Sequence, residues 1–172
     1  GATSLTAAVG GTAINLTGAT AGASGQVDGT AVSFNGTSSF GATASSLNLT
    51  AYNKIVVEAL MYIPSYNSTG KTAWEFNTNV SASSDTFAYF PDGGVSGSET
   101  LANVALKGNV NYSIATYTRP TAGNWHHVVA VYNTGLSTDE VDFYIDGVLQ
   151  TVTARPYNGN NSNNFGNRIL YL

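Results

Sequence analysis

Hydrophobic and polar residues alternate with period two from Trp125 to Tyr132 and again from Val141 to Ile145. In an extended chain this pattern sends successive side chains to opposite faces. Trp125, His127, Val129 and Val131 share one face of the first predicted strand, which is expected to lie in the core. Val141, Phe143 and Ile145 share one face of the second. Asp146-Gly147 follows, two residues that tolerate positive φ, so a type I′ turn is expected to fold Val148-Leu149-Gln150 back as a hairpin.

Further strands are expected at 13–16, 31–34, 54–63, 72–76, 86–90, 104–106, 110–117, 148–154 and 168–172, where β-branched and aromatic residues recur between turn clusters. Helical periodicity never persists. On 54–63 the residues Ile55, Val57, Ala59, Met61 and Ile63 form an apolar face and leave Glu58 and Tyr62 on the other. Trp74 shares its parity with Thr72 and Phe76 and is assigned to the core. The four prolines fall at strand ends or in loops. The stretch 157–166, almost all Asn, Gly and Ser, reads as a loop with no apolar residue to hold its middle. Short strands at this spacing predict an all-β fold, an antiparallel two-sheet β-sandwich, with residues 1–172 as one domain. The last strand, 168–172, has nothing after it, so an exposed apolar edge is expected there.

Composition narrows the setting. Charged residues are 9% of the chain, against ~25% in ordinary soluble domains. No apolar run approaches the ~20 residues that span a bilayer, so no membrane insertion is expected. A net charge of −4 with six Lys and Arg argues against nucleic acid as a partner. Solubility rests on hydroxyls and amides, which suits an extracellular or virion surface. The chain has no cysteine; a secreted animal adhesion module more often carries a disulfide, and this favours a microbial or viral source. Seven Asn-x-Ser/Thr sequons are read as chance in so Asn- and Thr-rich a sequence.

The pattern Trp125-x-His127-Val128-x, then Phe143-Tyr144-Ile145-Asp146-Gly147, resembles the laminin-G-like domains of the concanavalin A-like lectin and glucanase superfamily. The glycine-rich stretch 25–37 and the long strand 55–64 are similar to segments of that family in the same order, so the resemblance spans 25–171. It implies a jelly-roll sandwich, but the family hosts lectins, hydrolases, adhesion modules and structural proteins alike. It also implies a closing strand with an Asp-Glu pair that this sequence lacks, so a sandwich short of a terminal strand is expected. Calcium is the metal the resemblance implies, with Asp28 and Asp92-Gly93-Gly94 as its loop candidates. His127, matched to the family's histidine, is expected in or near the core.

Candidate chemistry is sparse. Glu140-x-Asp142-x-x-x-Asp146 approaches a glucanase signature, yet Glu140 and Asp142 read better as the solvated face of a strand. If a turn centres between Tyr66 and Asn67, Glu58 lies opposite Glu75 and Tyr62 opposite Lys71, with Cβ atoms ~5 Å apart, about as close as the carboxyls of retaining glycosidases. His126 has no partner ligand at metal spacing, and no serine is singled out for a Ser-His-Asp arrangement. No catalytic residue is assigned. Sugar binding needs aromatic platforms flanked by polar side chains; Glu58, Tyr62, Glu75, Asn111, Tyr117 and Arg119 are the candidates. The expected function is a non-catalytic surface module that recognises glycans or decorates a larger assembly such as a phage particle. Its partners are then a glycan or neighbouring subunits, with the chain oligomeric or part of something longer. The alternatives are a structural subunit without a ligand and a glycoside hydrolase or polysaccharide lyase.

Overall fold

The computed structural model describes residues 4–6, 11–27, 29–66, 71–81, 83–93 and 100–172. Among these there is no helix. The strands, in chain order, begin with β1 (Ser4–Leu5), β2 (Ile14–Thr17), β3 (Thr20–Ser24), β4 (Thr30–Ser33), β5 (Phe40–Thr43) and β6 (Leu47–Asn48). Then come β7 (Lys54–Tyr62), β8 (Trp74–Phe76), β9 (Thr86–Phe90), β10 (Leu101–Lys107) and β11 (Tyr112–Thr118). The rest are β12 (Trp125–Asn133), β13 (Val141–Ile145), β14 (Val148–Leu149), β15 (Val152–Asn158), β16 (Asn167–Arg168) and β17 (Leu170–Tyr171). One sheet runs β1-β2-β5-β17-β8-β9-β10-β11-β15 and a second runs β14-β13-β12-β7; β3-β4 and β6-β16 are small two-stranded ribbons. The described pairings are all antiparallel, as expected for a β-sandwich.

The core lies between the two large sheets. Trp74, Phe76, Phe87, Tyr89, Val104, Leu106 and Tyr117 meet Val128, Ala130, Tyr132, Val141 and Phe143 there. Aromatic rings dominate: Phe76 stacks on Phe87 at 4.8 Å, Phe87 on Tyr132 at 4.7 Å, and Phe143 packs against Tyr89 at 4.9 Å. The Tyr132 hydroxyl accepts from Trp74 Nε1 at 2.9 Å and donates to the Ala88 carbonyl at 3.0 Å. That satisfies both polar atoms inside an apolar layer, where an unmade bond costs ~1–3 kcal/mol. Burial pushes the Tyr132 phenol far above its ordinary range.

The inward parity of β12 differs from the expected one. Val128, Ala130 and Tyr132 face the core, so Trp125, His127, Val129 and Val131 face outward. The sequence pattern alone is ambiguous because both faces of this strand are apolar. The Asp146-Gly147 turn forms as expected, with φ of 51° and 80° and Ile145 opposite Val148.

Two further expectations are corrected. The end of the chain is no edge: β17 sits between β5 and β8, and Leu172 exchanges 2.9 Å backbone bonds with Gly41. A Cβ at Gly41 would lie 3.0 Å from the Ile14 side chain, so the glycine relieves crowding against β2. The second is Glu140, which is 1% exposed rather than solvated. Its carboxylate accepts from the Ser113 hydroxyl, from Asn161 N at 2.6 Å and from Asn161 Nδ2 at 2.7 Å. Asn161 Oδ1 in turn accepts from Val110 N and Asn111 N. The Asn-rich loop is therefore held by a buried amide, with Phe165 inserted into the core behind it.

Trp74→Ala should cost ~3–5 kcal/mol by opening a cavity between the sheets, whereas Trp125→Ala should cost no more than ~1.5 kcal/mol, the worth of one ring contact. Urea unfolding of the two variants checks the assigned faces. Asn161→Ala should cost roughly 2–4 kcal/mol, because it strands several buried groups at ~1–3 kcal/mol each with overlap, and calorimetry of that variant reads the loss.

Candidate functional site

The outer face of the smaller sheet is built by strand register. Pairing of β7 with β12 sets Tyr62 beside Trp125, Leu60 beside His127, Glu58 beside Val129 and Val56 beside Val131. Tyr144 of β13 continues the Val129 row and Leu149 of β14 extends it. All point away from the core. The Tyr62 and Trp125 rings lie 5.6 Å apart at 44°, and Tyr62 is 47% exposed. Next to them Glu58 Oε2 and His127 Nε2 approach to 3.2 Å, both side chains substantially open to solvent. An exposed ion pair of this kind contributes at most ~1 kcal/mol. Its effect is to present one acceptor and one imidazole beside two half-exposed rings.

His126, by contrast, points to one end of the sandwich. Its Nδ1 lies 2.7 Å from Asp146 Oδ2, and Asp146 Oδ1 accepts from His127 N at 2.9 Å. Its Nε2 lies 2.9 Å from the Thr121 hydroxyl and 3.2 Å from the Thr121 carbonyl oxygen. Hydroxyl, imidazole and carboxylate thus stand in the order found in nucleophilic hydrolases. The adjoining recess between Met61, Tyr89, Pro120, Thr121, Asn124 and His126 has no room for a water molecule. The chain of bonds therefore acts as a clip that fixes the β13–β14 turn to the start of β12.

Beside this clip, Arg119 stacks on the Tyr66 ring at 3.9 Å and the Tyr66 hydroxyl donates to Pro120 O at 2.9 Å. Burial, partly offset by the Arg119 charge, pushes the Tyr66 phenol up to about 12. Asp92 is 4% exposed and accepts from Lys71 N at 2.9 Å; burial raises its carboxyl above the ordinary range despite that bond. The cations around Asp92 are those of Lys71 and Arg119, which disfavours a divalent ion. Asp28 and Gly94 lie outside the described residues. Among the described residues no three His, Asp or Glu converge as metal ligands.

The six glycan candidates are not one site. Glu58 and Tyr62 share the outer face of the smaller sheet. Glu75 sits in the larger sheet, opposite Ala88 and Tyr171, with its carboxylate accepting from Val80 N and raised by burial. The hairpin that would oppose Glu58 to Glu75 does not form, because the chain crosses between sheets after β7. Tyr117 is fully buried and donates to Val141 O at 3.0 Å. Asn111 lies in the turn held by Asn161, and Arg119 at the sandwich end. Trp125 and His127 belong to the platform, although the sequence pattern alone assigns their face to the core. The pairing of β12 with β7 is the signal that assigns them outward.

The hydrogen bond from His126 and the His127 N–H hold the Asp146 carboxyl below the usual range. A depressed folded pKa contributes stability that is present above the unfolded value of ~3.9 and is lost as pH falls through the folded value. Asp146→Asn should therefore lower the melting temperature at neutral pH and flatten its decline below about pH 4; thermal melts across that range decide it.

The chain matches no protein-family model, no curated protein and no solved structure.

Proposed function

We propose that this domain is a non-catalytic surface module that recognises glycans through the outer face of its smaller sheet. The observation that carries this reading is the pairing of an exposed Tyr62 with a partly buried Trp125, with Glu58 and His127 beside them. Sugar rings present apolar faces that stack on aromatic side chains, and their hydroxyls bond to neighbouring carboxylate and imidazole groups. The sequence resemblance to laminin-G-like domains, a family of lectins, hydrolases, adhesion modules and structural proteins alike, and the uncharged polar composition are in keeping with this reading.

Geometry weighs against hydrolysis. Glu58 and Glu75 lie in different sheets, and Glu140 is sealed by Ser113 and Asn161. The pair Glu58 and Glu75 read from the sequence therefore flanks no common space.

A glycan array followed by titration calorimetry tests the proposal. Binding is expected, and Tyr62→Ala or Trp125→Ala should each weaken it about 3–10-fold, the equivalent of ~0.5–1.5 kcal/mol for a stacked ring, while the fold stays intact. Binding indifferent to both substitutions would remove the platform. Release of reducing sugar that Glu58→Gln abolishes would make a hydrolase the better account.

A further inference from the structure

The larger sheet also has an outward face, and strand parity marks which side chains it carries. Trp74, Phe76, Leu170 and Leu172 turn toward the core, so Glu75 and Tyr171 between them turn away. A Cβ at Gly41 would meet Ile14, Leu16 and Leu172. Those positions therefore share the inner side, and Asn15, Phe40 and Ala42 point outward. Register lines up Asn15, Ala42, Tyr171 and Glu75 as one row across β2, β5, β17 and β8. The row is about 14 Å long at ~4.8 Å per strand. Phe40 stands one alternation along β5, opposite Thr17, and its ring lies 6.4 Å from that of Tyr171 at 50°.

This row is open to solvent. Phe40 is 41% exposed; Asn15 and Thr17 are exposed, and Ala42, Tyr171 and Glu75 are half-buried. The Glu75 carboxylate accepts from Val80 N, which fixes the group and leaves lone pairs for a further donor. At the other end Asn15 offers both a donor and an acceptor. Two tilted rings flanked by an amide and a carboxylate can serve a sugar chain: ring faces take its C–H surfaces, and the polar groups take its hydroxyls. Glu75 is the one charged side chain of the row, which disfavours an acidic glycan and leaves a neutral one.

We propose that this face of the larger sheet is a second binding site for a neutral glycan, which makes the domain divalent. The core lies between the sheets, so this site and the Tyr62–Trp125 pair face opposite directions. Packed sheets are ~10 Å apart, and the two sites are separated by the whole thickness of the sandwich. Each face therefore holds a separate glycan chain, and the domain cross-links two chains rather than gripping one twice. The ligand class rests on the glycan reading above, whereas the site rests on the geometry of β5 and β17, so the two can fail separately.

Residue-resolved amide shifts read the two faces independently as cellohexaose, laminarihexaose and maltohexaose are titrated in. With at least one of these neutral sugars, the amides of Asn15, Ala42, Tyr171 and Glu75 should shift along a saturable curve. Phe40→Ala should weaken that curve about 3–10-fold and leave the Tyr62 and Trp125 amides responding as before. Asn15→Ala, at an exposed position, should weaken it too. The wild-type domain should carry a fluorescent copy of the matching polysaccharide onto beads coated with the same polymer, and Phe40→Ala should cut that capture severalfold. Shifts confined to the smaller sheet would overturn the second site and leave the first standing. Shifts confined to the larger sheet would uphold the second site and overturn both the first and the cross-linking. No shift with any of the three sugars would overturn both sites.

Discussion

The Tyr132 hydroxyl joins the two sheets at their centre, and much of the remaining geometry follows from it. With its oxygen between Trp74 Nε1 and the Ala88 carbonyl, the residue can face only inward. A strand has period two, so fixing one side chain fixes all of β12. Val128 and Ala130 go to the core, and Trp125 and His127 go to the surface. The pairing of β12 with β7 then puts Tyr62 beside Trp125 and Glu58 within reach of His127. His126, of opposite parity, is left to bond Asp146 and Thr121 at the sandwich end. The exposed platform and the end clip are thus two consequences of one buried hydroxyl.

The elements legible in the sequence were those whose signal is local. Strand β9 and strand β13 lie where alternation places them, and the hairpin after Ile145 follows from the positive φ that Asp146-Gly147 accepts. Strands β1, β3, β5 and β6 were missed because they run through Gly, Ala, Ser and Asn, which give little β signal. What the sequence hides is partnership. Successive strands usually neighbour one another, and on that basis Glu58 and Glu75 were paired; the crossing between sheets after β7 separates them. Glu140 reads as exposed by its polarity, and its burial is compensated by hydrogen bonds from Ser113 and from Asn161, brought back by the loop after β15. Of the proposed site residues, Glu58 and Tyr62 came together because they sit two turns of alternation apart on one strand face.

The placement of β17 has a consequence for how the chain reaches this structure. Its backbone is what connects β5, and through it β2 and β1, to β8 and the rest of the larger sheet. Ala42 pairs with Tyr171, a partner about 130 residues later, so at ~5–20 residues per second β5 waits on the order of ten seconds during synthesis before that partner exists. Until then the sheet is two pieces, each with an unfilled edge. A ribosome-bound chain can assemble the hairpins around β12 early, but it cannot weld the first strands to the body. Closure of the larger sheet depends on this long-range pairing, and non-local pairings of that kind slow folding.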